Sequence, residues 1–188
     1  DYTSGTSFIS MFAEPFDADK PIRGMNPRTR AEKYPHMTDA QIKQLWKDNG
    51  TYASELGTRV HSVYEAAFTG RENEDEPMTD EERKMLPAAK DIAEQIKSGK
   101  SGLGEVEIVG AEAIVFDPTV RIAGTIDLVA RAADGTVILV DHKTNRDLYK
   151  RNGGFHGPAS GIDATAFGDY ELQLNLYRRL AVRNGFFG

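Results

Sequence analysis

The feature that most constrains the fold is a change of period after Gly102. Residues 105–116, 120–130 and 136–142 are rich in β-branched side chains, and the turn signals Asp117-Pro118 and Asp134-Gly135 separate them. Connections this short join neighbouring antiparallel strands, because a parallel pair needs a crossover of about a dozen residues or more. Everything before Gly102 follows a helical or irregular pattern, and a further helical segment closes the chain. Helices, three consecutive strands, a long loop and a helix predict an α/β (α+β) domain.

The helical part carries its own punctuation. Thr38-Asp39-Ala40-Gln41 has the form of a capping box, so a helix is expected through Trp46, ending near Asn49-Gly50. A second helix fits 52–69, with Ala53, Leu56, Val60, Val63 and Ala67 at helical spacing and Gly70 as a stop. Segment 71–77 (RENEDEP) reads as a solvated acidic loop. Thr79 and Glu82 open a third helix running to about Lys97, which Pro87 kinks or splits. Residues 1–37 are expected to be an irregular arm, interrupted by Pro15, Pro21, Pro27 and Pro35 and made locally basic by Arg23, Arg28, Arg30 and Lys33. The final helix spans about 169–183, with Leu172, Leu176 and Leu180 on one stripe. A chain of 188 residues suggests one domain: the arm, a helical part over 38–100, and a sheet with its closing helix over 103–183.

Strand parity brings chemistry together. Asp141 and Lys143 lie two apart and share a side. In the preceding strand Ile122, Ile126 and Leu128 share one face, while Thr125 and Asp127 share the other. Two neighbouring strands can thus present Asp127, Asp141 and Lys143 together. Paired carboxylates suit Mg²⁺ or Mn²⁺, which prefer oxygen ligands, and a nearby lysine can orient water or offset charge at a phosphoryl centre. Strand-end salt bridges would use the same residues, and D-x-K triplets are common. His61 and Glu65, four apart on one helix face, fit either a metal site or a surface hydrogen-bonded pair. Gly57, one turn earlier, leaves room for a close approach. Gln173 and Tyr177 stand four apart on the last helix.

In order, G-T-x-x-H-x-x-x-E (Gly57 to Glu65), G-T-I-D (Gly124 to Asp127), D-H-K-T (Asp141 to Thr144) and Q-x-x-x-Y (Gln173 to Tyr177) resemble the PD-(D/E)XK nuclease superfamily. The likeness is to its RecB-like and bacteriophage-type exonuclease branch and runs from about Trp46 to Tyr177. The resemblance implies a restriction-endonuclease-like core, a central mixed β-sheet flanked by helices. It implies that His61, Asp127 and Asp141 are metal ligands, that the His142 carbonyl adds an oxygen donor, and that Lys143 is the catalytic lysine. Glu65 matches a helix acid acting behind the ligands. Glu112 matches an acid on the first strand, with Glu105 and Glu107 as neighbours. Gln173 and Tyr177 match a motif that packs on the site and helps place the DNA. The implied cofactor is Mg²⁺, with Mn²⁺ substituting, and the implied reaction is phosphodiester hydrolysis. Two departures stand out: His142 occupies a position often aromatic or apolar, and a strand expected after the last helix has barely begun at Gly188. With Asp1 in place of Met, the latter suggests a truncated chain.

The 23 basic and 29 acidic residues give a net charge of −6, yet local patches differ from the average. Segment 143–151 (KTNRDLYKR) carries a local charge of 4 − 1 = +3 and interleaves with Tyr149, Phe155 and His156. Arg146, Lys150, Arg151 and, on the earlier helix, Arg59 are therefore expected to hold DNA, with loop aromatics stacking on unpaired bases. Equally, the loop reads as a flexible solvated one. The chain has no Cys, which excludes disulfides, thiolate zinc sites and iron–sulfur clusters. Gly99-Lys100-Ser101 lacks the earlier glycine of a P-loop. No signal peptide or membrane-length apolar run is read, so the cytoplasm of a bacterial or phage-infected cell, or another intracellular DNA-containing compartment, is expected rather than secretion. The expected activity is a metal-dependent DNA exonuclease of recombination, repair or phage DNA processing. The rivals are an endonuclease or flap nuclease of the same chemistry and a non-catalytic DNA-binding module.

Overall fold

The computed structural model describes residues 1–71, 77–144, 147–150 and 153–186. It divides into two compact units, Pro15–Thr58 and Asp1–Glu14 with Arg59–Gly188.

Within Pro15–Thr58 the expected irregular arm contains short helices, α2 (Asp19–Arg23) and α3 (Pro27–Lys33). Pro27 sits in the first turn of α3, where its missing N–H costs nothing, and the Asn26 side chain accepts the Arg28 N–H as a cap. Trp46 anchors the unit: its indole donates to the Tyr34 hydroxyl at 2.9 Å, and the Phe16 and Tyr34 rings lie against it. Asp19 and Lys43 pair at 2.6 Å.

Helix α4 spans Asp39–Thr69 as one 31-residue helix, which corrects the expected break at Asn49-Gly50. The capping box at its start does form, through Thr38 and Gln41. A glycine ends a helix by adopting left-handed backbone. Gly70 does so at φ 72, whereas Gly50 remains helical, at a cost near 1 kcal/mol relative to alanine that a long helix absorbs.

In the larger unit, β1 (Thr3–Ser4) leads into α1 (Gly5–Ser10). After α4 come α5 (Asp80–Lys97), β2 (Ser98–Gly99), β3 (Gly104–Asp117), β4 (Ile122–Ala132), β5 (Val137–Val140) and α6 (Ala166–Arg183). Helix α5 runs unbroken through Pro87; its Thr79–Glu82 capping box and the burial of Ala89, Ala93 and Ile96 carry it across. The five-stranded sheet has the order β1-β4-β3-β2, with β5 also on β4. It is mixed because β1 runs parallel to β4 while the other pairings are antiparallel. Asp117 fixes the β3–β4 turn by accepting the Thr119 and Val120 N–H groups, and Asp134 accepts the Thr136 N–H at the next turn.

Two apolar layers hold the sheet between helices. Val63, Ala66, Ala67 and Phe68 of α4 and Ala89, Ala93 and Ile96 of α5 pack with Val106, Leu128 and Ala130. Tyr177, Leu180 and Ala181 of α6 pack with Val115, Ile122, Ile126 and Val129. Along β5 the layers alternate, Ile138 and Val140 to the first and Val137 and Leu139 to the second. The alternation expected along β4 fails at Asp127: Ile122 and Ile126 join the α6 layer, but Leu128 joins the α4 layer. On β3 the same switch falls between Ala113 and Ala111, around Glu112, whose backbone is left-handed at φ 49. A left-handed residue breaks the pleat, so both strands change face at one level. No helix among the described residues is long and apolar enough to cross a membrane.

Candidate metal centre

The broken pleat is where the chemistry collects. Asp127 and Leu128 are consecutive, yet both serve the α4 side of the sheet, Leu128 in the core and Asp127 facing His61. His61 Nδ1 lies 3.3 Å from Asp127 Oδ1 and 3.7 Å from Glu112 Oε1. Potential ligand atoms of His61, Glu112 and Asp127 all fall within 4.8 Å of one another, the one such group among the described residues. Of the three acids considered on the first strand, Glu112 is thus the one the fold brings to the site. Its left-handed backbone is the reason, and nothing in a glutamate foretells that conformation.

Strand β5 ends at Val140, so Asp141, His142 and Lys143 lie just past the ladder, earlier than the expected strand end. The last pair, Leu128 with Val140, leaves Asp141 one step beyond and level with Asp127. Three contacts organise this turn. The His142 N–H donates to Asp127 Oδ2 at 2.6 Å. Lys143 Nζ lies 2.8 Å from Asp141 Oδ2, an ion pair rather than an aligned hydrogen bond. The Gln173 amide of α6 donates to Asp141 Oδ1 at 3.2 Å. Lys143 Nζ also sits 4.8 Å from the centre of the Tyr170 ring.

Electrostatics follow from this packing. Hydrogen bonding to Asp127, then to Glu112, pushes the His61 imidazole up to about 10, so it is a cation at neutral pH. Burial opposes ionisation of Asp127, but hydrogen bonds from His61 and the His142 backbone outweigh it and hold the carboxyl below its usual range. Asp141 is raised, chiefly by burial, with Lys143 countering part of the effect. Glu65 is raised too, by burial and then by the Glu112 charge.

The expected site residues divide accordingly. His61, Glu112 and Asp127 converge, with the Asp141–Lys143 pair adjoining and Glu65 one turn from His61 along α4. His142 contributes a backbone donor; its ring does not face the ligands but stacks on Tyr64 at 4.3 Å and 12°, with Phe68 5.6 Å away. Burial lowers that imidazole, keeping it neutral. Gln173 and Tyr177 are buried and pack on the site. Gln173 orients Asp141, and Tyr177 locks α6 to the sheet, its ring filling the space beside Gly5 and Gly124 that any Cβ would occupy. Arg59 pairs with Glu81 at 3.5 Å. Lys150 is exposed, while Arg146 and Arg151 lie outside the described residues.

One imidazole nitrogen with carboxylate oxygens makes a donor set for a divalent cation. The buried Asp141 Oδ2, ion-paired with Lys143, adds a further oxygen beside them. The residues present therefore fit a divalent cation. A family model described as the PD-(D/E)XK nuclease superfamily matches residues 32–187. No curated protein and no solved structure gives a significant match.

Proposed function

The chain belongs to the PD-(D/E)XK nuclease superfamily, and from that premise we propose that it is a divalent-metal-dependent DNA exonuclease of the RecB-like, bacteriophage-type branch. The observation that supports this most is the convergence of His61, Glu112 and Asp127 beside the Asp141–Lys143 pair. Asp127, Glu112 and His61, with Asp141 alongside, would hold the cation. Those residues would hold it where its Lewis acidity would polarise the scissile phosphate and acidify the attacking water. The chain's own residues do the rest. The His142 N–H and Gln173 hold the Asp127 and Asp141 carboxylates in fixed orientation. Lys143 orients the incoming water and offsets negative charge developing on the phosphate as the P–O bond opposite the attack breaks. Glu65, one turn along α4 from His61, would accept or return a proton.

End-labelled linear DNA and covalently closed circular DNA, each incubated with Mg²⁺, Mn²⁺ or EDTA, test the proposal. Shortening of the linear form, an intact circle and no cleavage in EDTA are expected. A nicked or linearised circle overturns the exonuclease assignment in favour of an endonuclease, and metal-independent cleavage overturns the mechanism. Lys143→Ala is expected to lower the rate about 10²–10³-fold, the usual contribution of one preorganised charge-stabilising group, with an unchanged circular dichroism spectrum.

A further inference from the structure

Two large aromatic side chains stand exposed at the first turn of α6, where Phe167 is one turn from the Tyr170 ring that Lys143 covers. Tyr149 is 71% exposed and Phe167 45% exposed, and their rings stack at 5.5 Å and 30°. Such area is normally withdrawn from water, so a paired exposed π-face is a surface awaiting an occupant. The pair is also built rather than incidental. Asp147 Oδ1 accepts the N–H groups of both Tyr149 and Lys150, at 3.0 and 3.1 Å. The Phe167 N–H donates to the Leu148 carbonyl at 2.8 Å, tying this turn to the first turn of α6. Phe167 and Tyr170 are one turn apart on α6 and line one groove with Val137 and Leu139. Lys143 lies over that same Tyr170. An aromatic path therefore leads from the ammonium of Lys143 along α6 to the exposed pair, with the Lys150 cation next to it in sequence.

We infer that Tyr149 and Phe167 form a stacking platform for an unpaired base of a DNA strand whose backbone passes Lys143. The inference rests on the nuclease reading and deepens it by naming the substrate class, a single-stranded DNA end. A base inside a duplex has both faces covered by its neighbours, whereas an unpaired base offers a free face to an aromatic side chain. Lys143 and Lys150 supply the cations that a backbone needs at this place. The lysines draw the backbone to their side, and the base takes the aromatic one. Paired DNA ends gain nothing from the platform until they fray, and the site thereby selects strands already open.

The test uses the whole chain without divalent cation, so that DNA stays uncut. Binding is followed by fluorescence anisotropy with a single-stranded oligonucleotide and a blunt duplex, and stacking by the quenching of 2-aminopurine near the strand end. Wild type is expected to bind the single strand more tightly and to quench 2-aminopurine. The double variant Tyr149→Ala/Phe167→Ala is expected to lose roughly ten-fold in single-strand affinity, with duplex affinity little changed and quenching abolished; Tyr149→Phe is expected to retain both. Unchanged single-strand affinity in the double variant, equal losses for single strand and duplex, or no quenching by wild type each overturns the inference. A parallel digestion with Mn²⁺ separates the two readings: a wild-type protein that cuts DNA while the platform variants show no change in strand preference refutes the platform alone. Failure to cut any DNA refutes the nuclease assignment.

Discussion

At the scale of single residues, the site neutralises its carboxylates with the chain's own cations. His61 lies between Asp127 and Glu112, and Lys143 against Asp141. An imidazole pushed up to about 10 carries a proton at pH 7, and a ligating imidazole must lose it. Loading the site at pH 7 is therefore expected to release close to one proton, read by calorimetry of Mn²⁺ binding in buffers of different ionisation enthalpy. Affinity should rise with pH toward 10. The sign for stability runs the other way. A histidine whose folded value is raised stabilises the metal-free protein fully below its ordinary value near 6.5, and that contribution fades as pH climbs through about 10. His142 acts through its neighbours: its ring stacks on Tyr64 while its N–H grips Asp127. His142→Ala is expected to weaken Mn²⁺ binding about ten-fold, the lower range for a residue that orients a ligand. His142→Phe, which keeps a flat ring, should restore most of it; equal affinities for all three proteins would refute the role.

At the scale of elements, two glycines make opposite predictions. Gly50 is helical within α4 and has nothing within 4 Å of a built Cβ. Gly50→Ala should therefore stabilise by about 0.5–1 kcal/mol through lost backbone freedom in the unfolded chain. Gly124 of β4 faces the buried Tyr177 ring with no room for a methyl group. Gly124→Ala should destabilise by about 1–3 kcal/mol, the range for overpacking a tight core. Urea denaturation of both variants checks the pair. The elements also separate what a sequence can announce from what it cannot. Capping boxes at Thr38 and Thr79, and turns at Asp117 and Asp134, are local hydrogen-bond chemistry, and they form as read. The Asn49-Gly50 stop misled because a glycine permits a helix to end without requiring it.

At the scale of the whole chain, legibility fails where distant segments decide. His61, Asp127, Asp141 and Lys143 could be read from motifs because their order along the chain is itself a signature. The choice of Glu112 over Glu105 and Glu107, and the burial of Gln173 against Asp141, depend on contacts across tens of residues. The face change at Glu112 and Asp127 contradicts strict alternation, and a strand's period holds only while its pleat does. Long-range closure also sets the acid limit. Asp117 is buried, and although burial opposes its ionisation, the Thr119 and Val120 N–H groups and Arg183 hold its carboxyl below the usual range. A depressed carboxyl stabilises the fold above its unfolded value near 4, and the contribution disappears as pH falls through the folded value. Arg183→Ala should consequently move the acid-unfolding midpoint upward, measured by circular dichroism across pH 2–5.

The seating of Tyr177 against Gly5 and Gly124 carries a practical corollary. One side of that ring is covered by the first residues of α1, and α6 is the helix whose Gln173 steadies Asp141. The amino terminus is thus mechanically in series with the Asp141 carboxylate. Trimming the first ten residues would unseat a ring far along the chain and slacken the grip on Asp141. Expression boundaries drawn by the family match, which here begins at residue 32, would discard a segment that supports the candidate site.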